Sequence, residues 1–164
     1  MNEHVALRAP VTDHAYDVDF HAWSLRQADL LRHGRIDRVD IENIAEEIES
    51  LARKEIHSIE KRVRTLIEHL LKLKLFSLSD EPQRGWRVTI AKRRNNLASS
   101  FRDSPSLFAQ REAIYLGEWQ SGVRIAALAV AKDARAVTAI GQLRGMPIFS
   151  IDELLDPDFF PLRD

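Results

Sequence analysis

Residues 40–51, DIENIAEEIESL, hold the densest set of groups able to do chemistry: Asp40, Glu42, Glu46, Glu47 and Glu49, five carboxylates with no base among them. At roughly 100° per residue, Glu42, Glu46 and Glu49 line one edge of an apolar stripe of Ile41, Ile44, Ile48 and Leu51, and Asp40 and Glu47 line the other. Carboxylates three and four apart are how helical bundles present oxygen ligands or acid/base pairs. A helix start asks for the same residues, because each first-turn acid is stabilised by the macrodipole by roughly 0.3–1 kcal/mol. Glu49 also precedes Arg53 by four residues, the favoured orientation for an ion pair. Charge along the segment supports this plainer reading: residues 40–60 hold seven acids and two bases, whereas 61–74 hold five bases and one acid. Glu42, Glu46 and Glu49 are therefore read as an exposed acidic face.

A carboxylate-bridged metal pair would need Glu-x-x-His on two helices. The residues three before His4, His14, His21, His33, His57 and His69 are Met1, Val11, Val18, Leu30, Lys54 and Leu66, so no such motif exists. HExxH, GxSxG, GxGxxG and GxxxxGK[ST] are missing as well. Spacing selects no magnesium or calcium site. The cluster Asp13, His14, Asp17, Asp19 and His21 straddles a helix start, where such residues serve as caps. The chain has no cysteine, which excludes disulfides, thiolate zinc sites and thiol nucleophiles. No metal and no cofactor is expected.

A second set is subtler. Glu55, Arg62 and His69 recur every seven residues and project close to Ile48, Leu66 and Leu73, within the apolar stripe. Two helical turns span roughly 10–11 Å, so each needs a partner from another helix, because an unpaired buried charge is costly. Arg93 and Arg94 flank the stripe of Trp86, Ile90 and Leu97 and are placed to serve Glu55. The plain reading is a polar network that sets helix register. The functional one is a central polar pocket of Glu55, Arg62, His69 and Arg94, with His69 as an acid/base group.

The elements that must position these groups are helices. Apolar residues recur three or four apart, and all six prolines fall between or beyond the periodic segments, as helices require. The first helix is expected from about Asp17, its cap, to about His33, with Gly34 as the stop. The turn GRID leads into the longest helix, about 38–76. Residues 77–83 read as a loop and about 84–102 as a third helix. Ser104-Pro105 opens a fourth helix reaching about Ile140, bent near Gly117 or Gly122. Residues 141–149 read as a loop, and Ser150 with Glu153 forms a capping box for a short C-terminal turn. The expected fold is an all-α antiparallel bundle of about four main helices in one domain, 1–164, with residues 1–15 an extended arm and 150–164 a turn and tail.

Residues 84–102 carry six bases and no acid, which with Trp86 invites a nucleic-acid reading. On the helical wheel these bases form a ring rather than one stripe, and the formal net charge is −1, so nucleic acid ranks third. Gly122, Ala126, Ala129 and Ala136 permit close helix approach, either within the core or across a homo-oligomer face. No stretch is long and apolar enough for a membrane span, and a cytoplasmic location is the default expectation.

The order of the motifs adds a resemblance. Tyr16-Asp17-x-Asp19-Phe20-x-x-Trp23 precedes the acidic segment, followed by Glu55, His69-Leu-Leu-Lys72, Trp86 and Arg93-Arg94. Asp103-Ser-Pro-Ser-Leu107 and Leu154-Leu155-Asp-Pro-Asp-Phe159 close the series. In this order the chain resembles a bacterial family catalogued as domain of unknown function twenty-nine. The resemblance implies an all-helical fold and brings no activity, cofactor or catalytic residue. The sequence thus points first to a protein-interaction or structural module, with an enzyme or ligand binder around Glu55 and His69 as the alternative.

Overall fold

The computed structural model describes residues 15–75, 80–131 and 134–161; within these the protein is all-helical, with no strand. The expected arm lies almost wholly outside the described residues, as do His4, Asp13 and His14. The chain divides into two compact units, Met1–Arg53 and Lys54–Asp164.

The first unit holds α1 (Ala15–Val18), α2 (Phe20–Arg32), a 3-10 turn (Ile36–Arg38) and the opening of α3 (Ile41–Leu75). The sequence puts the first cap at Asp17. Instead the chain breaks at Asp19, whose backbone leaves the helical region (φ −147°, ψ 84°) so that its carboxylate accepts from Ala22 N at 3.0 Å. That is the geometry of an N-cap. Gly34 ends α2 at φ +66°, where a Cβ would be strained. Val39 is extended after the 3-10 turn, so α3 starts at Ile41 rather than near Arg38.

The second unit takes the rest of α3, then α4 (Asp80–Asp103), α5 (Pro105–Ala109), α6 (Arg111–Ala129), α7 (Ala134–Gln142), a second 3-10 turn (Leu143–Gly145) and α8 (Ile151–Leu155). α3 packs on α4 and α6 as in a bundle, with Val63, Leu66, Ile67 and Leu70 facing Ile90 and Leu97 of α4 and Trp119 and Val123 of α6 in one buried cluster. α4 begins at Asp80, not at about residue 84, because Pro82 sits in the first turn, where a missing N–H costs nothing. Of the expected loop, residues 76–79 lie outside the described residues.

The expected fourth helix is three helices. It breaks at Gln110 and after Ala129, not at Gly117 or Gly122. Gly122 lies within α6, and its lack of a Cβ permits the close approach to α3, since a Cβ would lie 2.6 Å from Ile67 Cγ2. Ala126 beside it is fully buried, whereas Ala129 is exposed. The side chain of Ala136 lies outside the described ones. Helix also extends to Gln142 through part of the expected 141–149 loop. The capping box at Ser150 is present in both halves, with Glu153 N donating to Ser150 Oγ at 3.1 Å and Ser150 N to Glu153 Oε2 at 2.7 Å. Two orphan donors of the helix start are thereby satisfied.

Candidate functional site

Asp40 is the fixed point of the acidic segment. It immediately precedes α3, and its carboxylate accepts from Asn43 N (3.3 Å), Asn43 Nδ2 (2.7 Å) and the indole Nε1 of Trp23 (3.2 Å). Its own N–H donates to Gln27 Oε1 at 2.9 Å. Trp23 and Gln27 are buried residues of α2, so α2 fixes where α3 starts. The hydrogen bonds from Asn43 hold the Asp40 carboxyl below the usual aspartate range, against an opposing desolvation, since donors to the charged form favour it. Tyr16 joins α1 to the same helix by donating from its hydroxyl to Glu47 Oε1 at 2.7 Å, which pushes the phenol up to about 12. Tyr16, Phe20 and Trp23 pack ring against ring at centroid distances of 4.7–5.9 Å.

This scaffold presents exposed aliphatic side chains. Ile41, Ile48 and Leu51 are 59%, 62% and 64% exposed, although the expected stripe would have turned them to the core. Glu42, Glu46 and Glu49 are exposed as read, and Glu49 pairs with Arg53 at 3.2 Å. Val18, Phe20 and Leu25 of the same unit are also more than half exposed. Along α3 the buried residues run from Ile59 to Leu73, and Ile44 is partly buried.

The seven-residue polar line does not converge. Glu55 is exposed rather than core-facing, and its carboxylate accepts from Ser104 Oγ at 2.5 Å, not from Arg93 or Arg94. Arg62 donates to Ser100 Oγ at 2.9 Å. His69 is half-buried and donates from Nδ1 to Thr65 O at 2.9 Å, since a carbonyl can only accept. Burial, with Lys72 and Arg93 nearby, holds its imidazole below the ordinary histidine range. Glu55 and His69 lie fourteen residues apart on one helix. That separation is a rise of roughly 21 Å, so one small pocket cannot hold both.

Arg94 does a different job. Its buried guanidinium donates to the carbonyls of Leu154 (2.8 Å), Glu153 (3.3 Å) and Pro157 (3.4 Å). These bonds close the C-terminal end of α8, whose last carbonyls have no helical donor. Of the four residues in the expected pocket, Arg94 is among the described residues that line a cavity of about 400 Å³ between α4, α5 and α8. Among the described residues, no group of three His, Asp or Glu side chains is arranged to hold a metal ion. None of the described helices is long and apolar enough to cross a membrane. Sequence reasoning does not foresee the contacts of Asp40, although a buried indole that needs an acceptor and Asp three before Asn at a helix start are both visible signals.

A family model, Domain of unknown function DUF29, matches residues 15–160. The chain belongs to this family. No curated protein and no solved structure matches it. The DUF29 match runs through both units, so the acidic opening of α3, the polar line and Arg94 all belong to the family domain rather than to an appendage.

Proposed function

We propose that this DUF29 chain is a protein-interaction module whose docking element is the opening of α3. The observation that carries the reading is the exposure of Ile41, Ile48 and Leu51, each near 60%, on one side of a helix already fixed by Asp40 and Glu47. Single exposed aliphatics are ordinary, but a row of them rimmed by charge is how interaction surfaces look. Spacings of seven and three match the anchors of an amphipathic helix laid into a groove. Because the helix is held before it binds, little ordering entropy is lost on docking.

The partner is a protein with an apolar groove rimmed by Lys or Arg. Residues 40–51 offer five carboxylates and no base, so two copies pressed face to face here would bring like charges together. The alternative of a pocket around Glu55 and His69 has less support, since each already has its own partner. Nucleic-acid binding through α4 is also weakened, with Arg94 buried against α8 and Arg87 stacked on Phe160 at 4.5 Å.

The test places a photo-crosslinking residue at Ile48 and, as control, at the exposed Lys61, in cells that naturally make the protein. A discrete adduct confined to position 48, lost on Leu51→Glu, is expected. Identical background from both positions overturns the reading. An adduct with the mass of two chains overturns the basic-rimmed partner and assigns the face to a second copy.

A further inference from the structure

A hollow in the second unit carries a chemistry that the interaction reading does not use. α4 presents Arg94, Ala98, Phe101 and Arg102 on one side, at spacings of four, seven and eight residues that share a helix face. Ala98 is exposed and has only a methyl group to fill its position, while the rings of Phe101 and Phe108 and the side chain of Leu155 stand around it. The result is a cavity of about 400 Å³, at the small end of the range for small-molecule sites. Phe101 and Phe108 meet edge to face with centroids 5.7 Å apart, a favoured aromatic geometry that gives the hollow one wall.

The polar part of the lining is cationic. Among the described lining residues, Arg94 and Arg102 are the charged ones and none is a carboxylate. Arg94 is 4% exposed, and its three hydrogen bonds go to neutral carbonyls. A guanidinium has five N–H donors, so donors remain beyond those three. Asp156 and Asp158 act on Arg94 through space without reaching ion-pair distance. A desolvated cation with its charge unmatched at contact range favours an anion more than a surface arginine does. Arg102, exposed at the rim and held only by a 3.5 Å contact to Ser99 Oγ, can turn toward such a ligand.

We propose that this hollow binds a small aromatic carboxylate, its ring over Ala98 against Phe101 and Phe108 and its carboxylate toward Arg94 and Arg102. The apolar walls select the ring and the paired guanidinium groups select the charge.

Isothermal titration of the full chain with 1-naphthoate, and with the neutral 1-naphthamide, tests this. Saturable one-to-one binding of naphthoate, at least tenfold tighter than the amide, is expected. Ala98→Leu, a helix-compatible change that fills the hollow, should abolish binding, and Arg102→Gln should weaken it severalfold. In the wild type, amide shifts in an NMR titration should centre on residues 98, 101 and 108, which keeps the test valid if Ala98→Leu fails to fold. Equal binding of naphthoate and naphthamide overturns the proposal, as do binding that survives Ala98→Leu and no binding at millimolar ligand.

Discussion

The indole N–H of Trp23 reaches Asp40 Oδ2 at 3.2 Å, tying the buried face of α2 to the first residue before α3. One carboxylate thereby caps one helix and anchors another. Asp40→Ala removes both functions, and a loss of roughly 1–2 kcal/mol is expected, in the upper range for a helix cap. Urea unfolding followed by circular dichroism measures it. Trp23→Phe, which keeps the ring and removes the donor, should cost less than Asp40→Ala. The Asp40 carboxyl titrates low when folded. Its contribution is therefore complete above its unfolded value of about 3.9 and is lost as pH falls through the lower folded one.

Two glycines of α6 make opposite predictions. A Cβ at Gly122 would lie 2.6 Å from Ile67 Cγ2 and 3.3 Å from Arg64 O. Gly122→Ala should therefore destabilise by roughly 1–3 kcal/mol through overpacking. At Gly117 nothing lies within 4 Å, and Gly117→Ala should stabilise by roughly 0.5–1 kcal/mol through helix propensity. Thermal melts of the pair suffice, and equal effects would contradict the close approach of α6 to α3.

His69 makes stability depend on mild acid. Its imidazole is held neutral by burial and by the charges of Lys72 and Arg93, against Glu68 and the Thr65 carbonyl. Stability from this site is complete above the unfolded value of about 6.5. It declines as pH falls from there toward the lower folded value, because the unfolded chain takes up the proton first. His69→Gln should flatten part of the fall in urea midpoint between pH 7.5 and 5, and an unchanged slope would remove His69 as the cause.

Arg94→Leu leaves the carbonyls of Glu153, Leu154 and Pro157 without their donor. A loss of roughly 1.5–3 kcal/mol is expected. Early hydrogen exchange confined to residues 150–157 would locate the effect at α8. Arg94→Lys should recover little, since an ammonium cannot reproduce the planar fork.

Ile48 is exposed, so Ile48→Glu should leave stability within about 0.5 kcal/mol of wild type. Ile67 is fully buried, and Ile67→Glu should prevent folding. If Ile48→Glu proved equally damaging, the opening of α3 would be part of a core and not a docking face.

What the sequence makes legible is local. Gly34 and the Ser150–Glu153 box are defined by neighbours within a few residues, and both stand where the pattern puts them. The small residues at 122 and 126 permit close approach, but only the fold places Ile67 opposite Gly122. Periodicity marks Ile41, Ile48 and Leu51 as one face. It carries no information on whether that face is buried, and among the described residues these three side chains are exposed. Arg94 meeting the end of α8, Trp23 meeting Asp40 and the closure of the hollow by Leu155 depend on segments 17 to 63 residues apart, which no local pattern encodes.

The acidic rim around Ile41, Ile48 and Leu51 also bears on colloidal behaviour. Its carboxylates hold copies apart over about 10 Å at 0.1 M salt, but over only about 3 Å at 1 M. At the higher salt the aliphatic row beneath is free to seek its like. Solubility of the purified protein should therefore fall as salt is raised, and Ile48→Glu should abolish that dependence: the acids that would choose a partner also keep the surface dispersed until one arrives.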